Sequence, residues 1–275
     1  MQRILAATDL SPRGTAAVAR AGRLARHFRA PLTLLHVVDE ELPDALRRSH
    51  ALQAKALLHA EAERLGPALG VEVEVRAVEG RHFHAIARTA EEIAADLVVV
   101  GASPPVPELG GRLGITTEKL MREVAIPVLA VRNARTEPYA TVLVAVDLAD
   151  AARRVLGLAH RVATAEPVHV LHVPQDPAGR DSTDAARTHV DPALTAALEA
   201  LLVRSGFDAG AARPIVRLGS IDNLLPRVVA ETKADLVVMG TTTPSRTALG
   251  RWLAGSHAEK ALASVETDLL VVPLD

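Results

Sequence analysis

The sequence predicts an α/β fold in two tandem domains, each a five-stranded parallel-type sheet sandwiched by helices. Three observations carry this reading. Short apolar runs alternate with helix-patterned segments along the chain. The order of these segments occurs twice. The 275 residues, 49% of them apolar, suit two domains of ordinary size with a core in each. Strands alternating with helices need crossover connections, and hence a parallel sheet covered on both faces.

In the first domain, residues 1–132, Ile4 to Thr8 is an apolar run closed by Asp9. Ser11-Pro12 reads as an N-cap followed by Pro at the first helical position. Ala17, Ala21, Leu24, Ala25 and Phe28 then recur at helical spacing. Leu32 to Val38 is a second buried strand. Pro43 to Leu69 is a long helix ended by Gly70. Val71 to Val78 alternates like a strand with one more exposed face. A helix over about 84–94, a strand from Asp96 to Gly101, a loop, a helix over 116–123 and a last strand from Pro127 to Val131 complete it.

A polar linker at 133–140, NARTEPYA, leads to the second domain, 141–275. There Val142 to Asp147 matches Ile4 to Asp9 at an offset of 138, and Leu171-His172-Val173 matches Leu35-His36-Val37 at 136. Gly219 matches Gly80, and Asp235 to Val238 matches Asp96 to Val99, both at 139. Glu259-Lys260 matches Glu118-Lys119 at 141. So little drift over five anchors marks a repeat. Gln175 to His189, rich in Asp, Gly, Ser and Thr, reads as poorly ordered.

Composition excludes several classes. Aromatics are only 2%, net charge is −2, and no dense Lys/Arg patch occurs, which argues against nucleic acid. With no cysteine there are no disulfides or thiolate metal sites, and a reducing cytoplasm suits the chain. No apolar run approaches the roughly 20 residues of a membrane span, and no signal peptide is expected. His82 and His84 are neighbours, but no third ligand stands at metal spacing, so no metal is expected. Hydrolase, P-loop and dinucleotide motifs are missing, and no acid–base pair suggests a catalytic residue.

Ligands of parallel α/β sheets bind beyond the C-terminal strand ends. Asp9, Val37 and Gly101 lie at such ends in the first domain; Val146, Asp147, Val173 and Gly240 do so in the second. Asp235 to Ser256 reads as a buried strand, a polar loop and a helix start, an arrangement that can hold an anion. Simpler roles stand beside each candidate. Ser256 also heads Ser-x-x-Glu with Glu259, a capping box needing no ligand. Gly101 and Gly240 equally permit a turn, and an Asp at a strand end is ordinary turn chemistry. Arg246 and Arg251 read as solvated loop cations. His36 and His172, at equivalent strand positions, read as structural.

With Ala7-Thr8-Asp9-Leu10-Ser11, the two Leu-His-Val segments, the glycine spacings and the Glu-Lys pairs in view, the chain resembles the universal stress protein family in its tandem two-domain form. The resemblance implies an adenine-nucleotide alpha-hydrolase-like, Rossmann-like fold. It also implies that the two last strands, Pro127 to Val131 and Leu269 to Val272, meet across a pseudo-twofold axis as an intramolecular pair. Further homodimerisation is left open.

Nucleotide-binding members carry Gly-x2-Gly-x9-Gly-Ser/Thr. In the first domain Gly101 and Gly114 keep that spacing, but Pro104 has no N–H to donate and Ile115 has no hydroxyl. In the second, Gly240, Gly255 and Ser256 remain, while Thr243, or Ser245 in another alignment, replaces the middle glycine. The resemblance thus places ATP in the second domain, on Val146, Asp147, Val173, Gly240, Gly255 and Ser256. Asp9, Val37, Gly101 and Gly114 are the degenerate equivalents. Three functions remain open: a non-catalytic cytoplasmic stress-response protein binding nucleotide weakly in the second domain; a nucleotide-independent docking or ligand-carrying protein; and, most distant, a nucleotide hydrolase.

Overall fold

The apolar run at the N-terminus forms β1 (Ile4–Ala7), all four residues of which are buried. The computed structural model describes residues 1–102, 115–133, 137–174, 192–241 and 264–274. The chain divides into two units, Met1–Glu137 and Pro138–Asp275.

In the first unit β1 leads through α1 (Pro12–Phe28) to β2 (Leu32–Val38). Then come α2 (Asp44–Leu69), β3 (Val73–Glu79) and α3 (His82–Glu92). The unit closes with β4 (Leu97–Gly101), α4 (Ile115–Glu123) and β5 (Val128–Val131). α1 starts where Ser11 Oγ accepts the Gly14 amide, with Pro12 at the first position. It buries Ala17, Val18, Ala21, Leu24 and Ala25, the predicted stripe except that Phe28 is only half-buried. α2 stops at Gly70, whose φ of 65° a glycine tolerates best.

All pairings are parallel and run in the order β3-β2-β1-β4-β5. Ala7 stands beside Leu35 on one side and Val100 on the other. β1, β2 and β4 are almost wholly buried, as central parallel strands must be. A fully buried Val or Leu side chain contributes roughly 1.5–3 kcal/mol by leaving water.

The second unit repeats the plan with β6 (Val142–Val146), α5 (Ala152–Val162) and β7 (Val168–His172). α6 (Pro192–Arg204), β8 (Ala212–Val216), α7 (Ile221–Thr232), β9 (Leu236–Thr241) and β10 (Asp268–Pro273) follow. Its order is β8-β7-β6-β9-β10, again parallel. Both units are therefore the five-stranded parallel sheets with helices that the sequence predicts.

Repeat anchors have structural work. Asp96 accepts the Gln2 and Arg3 amides with its two carboxyl oxygens, at 2.6 and 3.3 Å. Asp235 does the same for Ala140 and Thr141, at 2.8 and 3.0 Å. Each thus ties the entry of its unit's first strand to the start of the fourth. Tyr139, within the segment read as a linker, is buried. Its carbonyl accepts the Thr164 hydroxyl at 2.9 Å.

The segment read as disordered, 175–189, lies outside the described residues. So do residues 257–263, which follow the helix start read at Ser256, and the loop residues 103–113. Among the described residues no helix is long and apolar enough to cross a membrane.

Candidate functional site

In the first unit the chain leaves β1 for β2 on one side and later crosses to β4 on the other. This is the switch point at which parallel sheets open a crevice. A tight turn fills one lip. Leu10 has φ 62°, and Thr8 Oγ1 accepts its amide at 3.0 Å. Asp9 Oδ1 accepts the Ser11 amide at 3.0 Å and also the Ser11 hydroxyl. Burial pushes the Asp9 carboxyl up. The hydrogen bonds from Ser11 and the Arg13 charge outweigh this and hold it below its ordinary value.

α1 then presses against the end of β4. A Cβ on Gly101 would lie 2.9 Å from the Arg13 carbonyl oxygen and 3.2 Å from the Gly14 nitrogen. Gly101 therefore lets two backbones touch.

Between these parts lies a hollow of about 340 Å³. Its walls come from the strand ends, with Ala7, Leu35, Val37, Val100 and Gly101, and from Ile86 of α3. The lip is polar: Thr8 and Asp9 from the turn, Arg13 and Gly14 from the first turn of α1. His82 begins α3, and Thr116 and Thr117 lie in the first turn of α4. Three helices thus open onto one cavity, each presenting the positive end of its dipole. Thr117 is only 6% exposed.

The second unit carries Val146, Asp147, Val173 and Gly240 at adjacent strand ends. Asp147 is exposed, and its Oδ1 accepts the Ala149 amide at 3.2 Å. Val173 is half-exposed just past β7. A Cβ on Gly240 would meet the Leu274 side chain at 2.9–3.0 Å. Where α1 closes on Gly101, Leu274 closes on Gly240.

In both units the histidine of the second strand reaches the carbonyl at the end of the first. His36 Nδ1 lies 2.9 Å from the Thr8 oxygen, and His172 Nδ1 lies 3.0 Å from the Val146 oxygen. A carbonyl only accepts, so Nδ1 carries the hydrogen in each ring.

Asp9, Val37 and Gly101 therefore line one cavity. Gly114, Gly255 and Ser256 lie outside the described residues, as do Pro104, Thr243, Ser245, Arg246 and Arg251 and the side chain of Ile115. Arg13, Ile86, Thr116 and Thr117 were not singled out by sequence, and His82 was read only as a rim or helix-start residue. Their signal is positional: each sits on a helix that follows a strand end, four of these five in the helix's first turn. Among the described residues no cluster of His, Asp or Glu could hold a metal.

The architecture and the crevice define a parallel α/β protein with a ligand-sized cavity at its strand-end rim. The model of the universal stress protein family matches the chain twice, over residues 1–132 and 138–273. The chain belongs to the universal stress protein family, in a tandem two-domain form. A universal stress protein from Archaeoglobus fulgidus is similar in structure, with TM-score 0.76, 18% identity and 99% and 98% of the two chains covered. A functionally unknown protein from Pseudomonas aeruginosa PAO1 gives TM-score 0.69, 22% identity and coverage of 99% and 92%. These likenesses concern the fold. No curated protein gives a significant match.

Proposed function

We propose that this stress-response protein is non-catalytic and carries a small ligand in the rim hollow of its first unit, without requiring a nucleotide. The carrying observation is the hollow itself. Its 340 Å³ lies near the lower end of ligand pockets, roughly 300–1,000 Å³, and pairs apolar walls with a few convergent polar groups. Pro104 and Ile115 weigh against a nucleotide there. The cysteine-free sequence supports a cytoplasmic setting.

Weak binding of ATP or a related nucleotide in the second unit is the other reading, supported by Gly240, Gly255 and Ser256 in the sequence. Loss of one glycine need not abolish it, since a tenfold weakening is only about 1.4 kcal/mol. The placement of Leu274 over Gly240 counts against it.

Native mass spectrometry of freshly purified protein, before and after a denaturing release step, separates the two. A released small molecule other than a nucleotide supports the carrier. ATP or ADP near one per chain, lowered in Ser256→Ala, supports the second reading. An empty protein with no thermal shift in millimolar ATP removes both small-ligand readings and leaves protein docking.

A further inference from the structure

We infer that two copies of this chain pair side by side through β3, antiparallel about a twofold axis at Val75. The inference goes beyond the carrier reading and does not depend on it.

β3 ends the sheet of the first unit, with β2 on one side only. The Leu32 amide donates to the Glu72 oxygen at 2.9 Å, and the Gly80 amide donates to the Val38 oxygen at 3.0 Å. Bonding residues alternate along a strand, so the even-numbered residues of β3 serve β2. Val73, Val75 and Ala77 turn their N–H and C=O groups outward, and no backbone group meets them among the described residues. A bare edge of this kind is a template for another strand.

The second unit blunts the corresponding edge. Pro214 is the counterpart of Val75, at the offset of 139 that relates Gly80 to Gly219. Val75 stands beside Leu34 of β2, and Pro214 beside Val170 of β7. The Val168 amide donates to the Ala211 oxygen and the Arg217 amide to the His172 oxygen, so Pro214 occupies an outward position. Its ring removes a donor from the middle of that edge. β3 has no proline.

Charge selects the occupant and the register. Glu74 and Arg76 share one face of β3. A twofold pairing centred on either of them sets like charges directly opposite, which is destabilising. Centred on Val73 it sets Glu72 against Glu74, and centred on Ala77 it leaves Glu74 and Arg76 unmatched. Centred on Val75 it sets Glu74 of each copy against Arg76 of the other. Val75 then meets its own counterpart, and Val73 meets Ala77, in pairs that use the outward backbone groups. The Glu–Arg pairs fall at the closer, non-hydrogen-bonded positions. Arg76 also reaches Glu92 of α3 at 3.3 Å, an exposed pair that leaves other guanidinium nitrogens for Glu74. So short a seam gives a weak, concentration-dependent dimer.

Sedimentation velocity of the full chain from about 1 to 300 μM tests this. The mass should rise from that of one chain toward that of two. Val75→Pro leaves the β2–β3 bonds in place and should hold the chain monomeric over the same range. Glu74→Arg and Arg76→Glu should each weaken the dimer by roughly threefold to tenfold. Combining the two exchanges restores opposite charges at both pairs and should recover the dimer. A monomer at every concentration overturns the assignment. So does a dimer that survives Val75→Pro, which would place the interface elsewhere, or a double variant no tighter than the single ones.

Discussion

Tyr139 donates its hydroxyl to Asp268 Oδ2 at 2.7 Å, and both residues are buried. The bond joins the approach to β6 with the first residue of β10, 129 positions on. Tyr139→Phe keeps the ring and removes the donor. It should destabilise the protein by about 1–3 kcal/mol, because a buried carboxylate loses a partner. Urea unfolding measures this, and an unchanged midpoint would refute the role.

The equivalent glycines should respond differently to alanine. A Cβ on Gly101 meets the backbone of Arg13 and Gly14, which can yield only if α1 shifts. Gly101→Ala should cost about 1–3 kcal/mol. A Cβ on Gly240 meets terminal carbons of Leu274, which can rotate away. Gly240→Ala should cost less than about 1 kcal/mol. Thermal unfolding of the two variants checks the order, and the reverse order would contradict the packing.

His169 predicts an acid weakness in the second unit. Burial, and then the charge of Arg213 on the neighbouring strand, holds its imidazole below the ordinary 6.5. The unfolded chain therefore takes up the proton first. This contribution is complete above pH 6.5 and is lost as pH falls from there through the lower folded-state value. His169→Gln should reduce the drop in urea midpoint between about pH 7.5 and 5.5, and Arg213→Gln should reduce it in part. A drop unchanged in both variants would locate the effect elsewhere.

Asp9 acts further down the scale. Its carboxyl lies below the ordinary 3.8, so its contribution is present above that pH and is lost as pH falls through the folded-state value. Asp9→Asn retains an acceptor for Ser11 and should flatten the acid limb of the stability profile below about pH 4. An unchanged limb would show that the turn does not depend on the charge.

The strands were legible because buried parallel strands appear as continuous apolar runs, such as Leu97 to Val100, that no helix period explains. The duplication was legible because its anchors sit at element ends, where Asp96 and Asp235 each satisfy two amides more than 90 residues away. What those anchors do was not legible, since neither partner is near in sequence. Gly101 and Gly240 align, but only coordinates show one against Arg13 and the other against Leu274. Thr117 and Arg13 belong to no motif. They reach the cavity because helices start there, and first-turn positions carry no pattern of their own.

The paired histidine bonds have a consequence for the strand ends. In each unit a ring from the second strand donates to the carbonyl that closes the first, so the two strands are stitched by a side chain at the rim as well as by the backbone ladder behind it. The duplicated sheets thus carry the same fastening at the same corner, and each copy holds its own rim without help from the other.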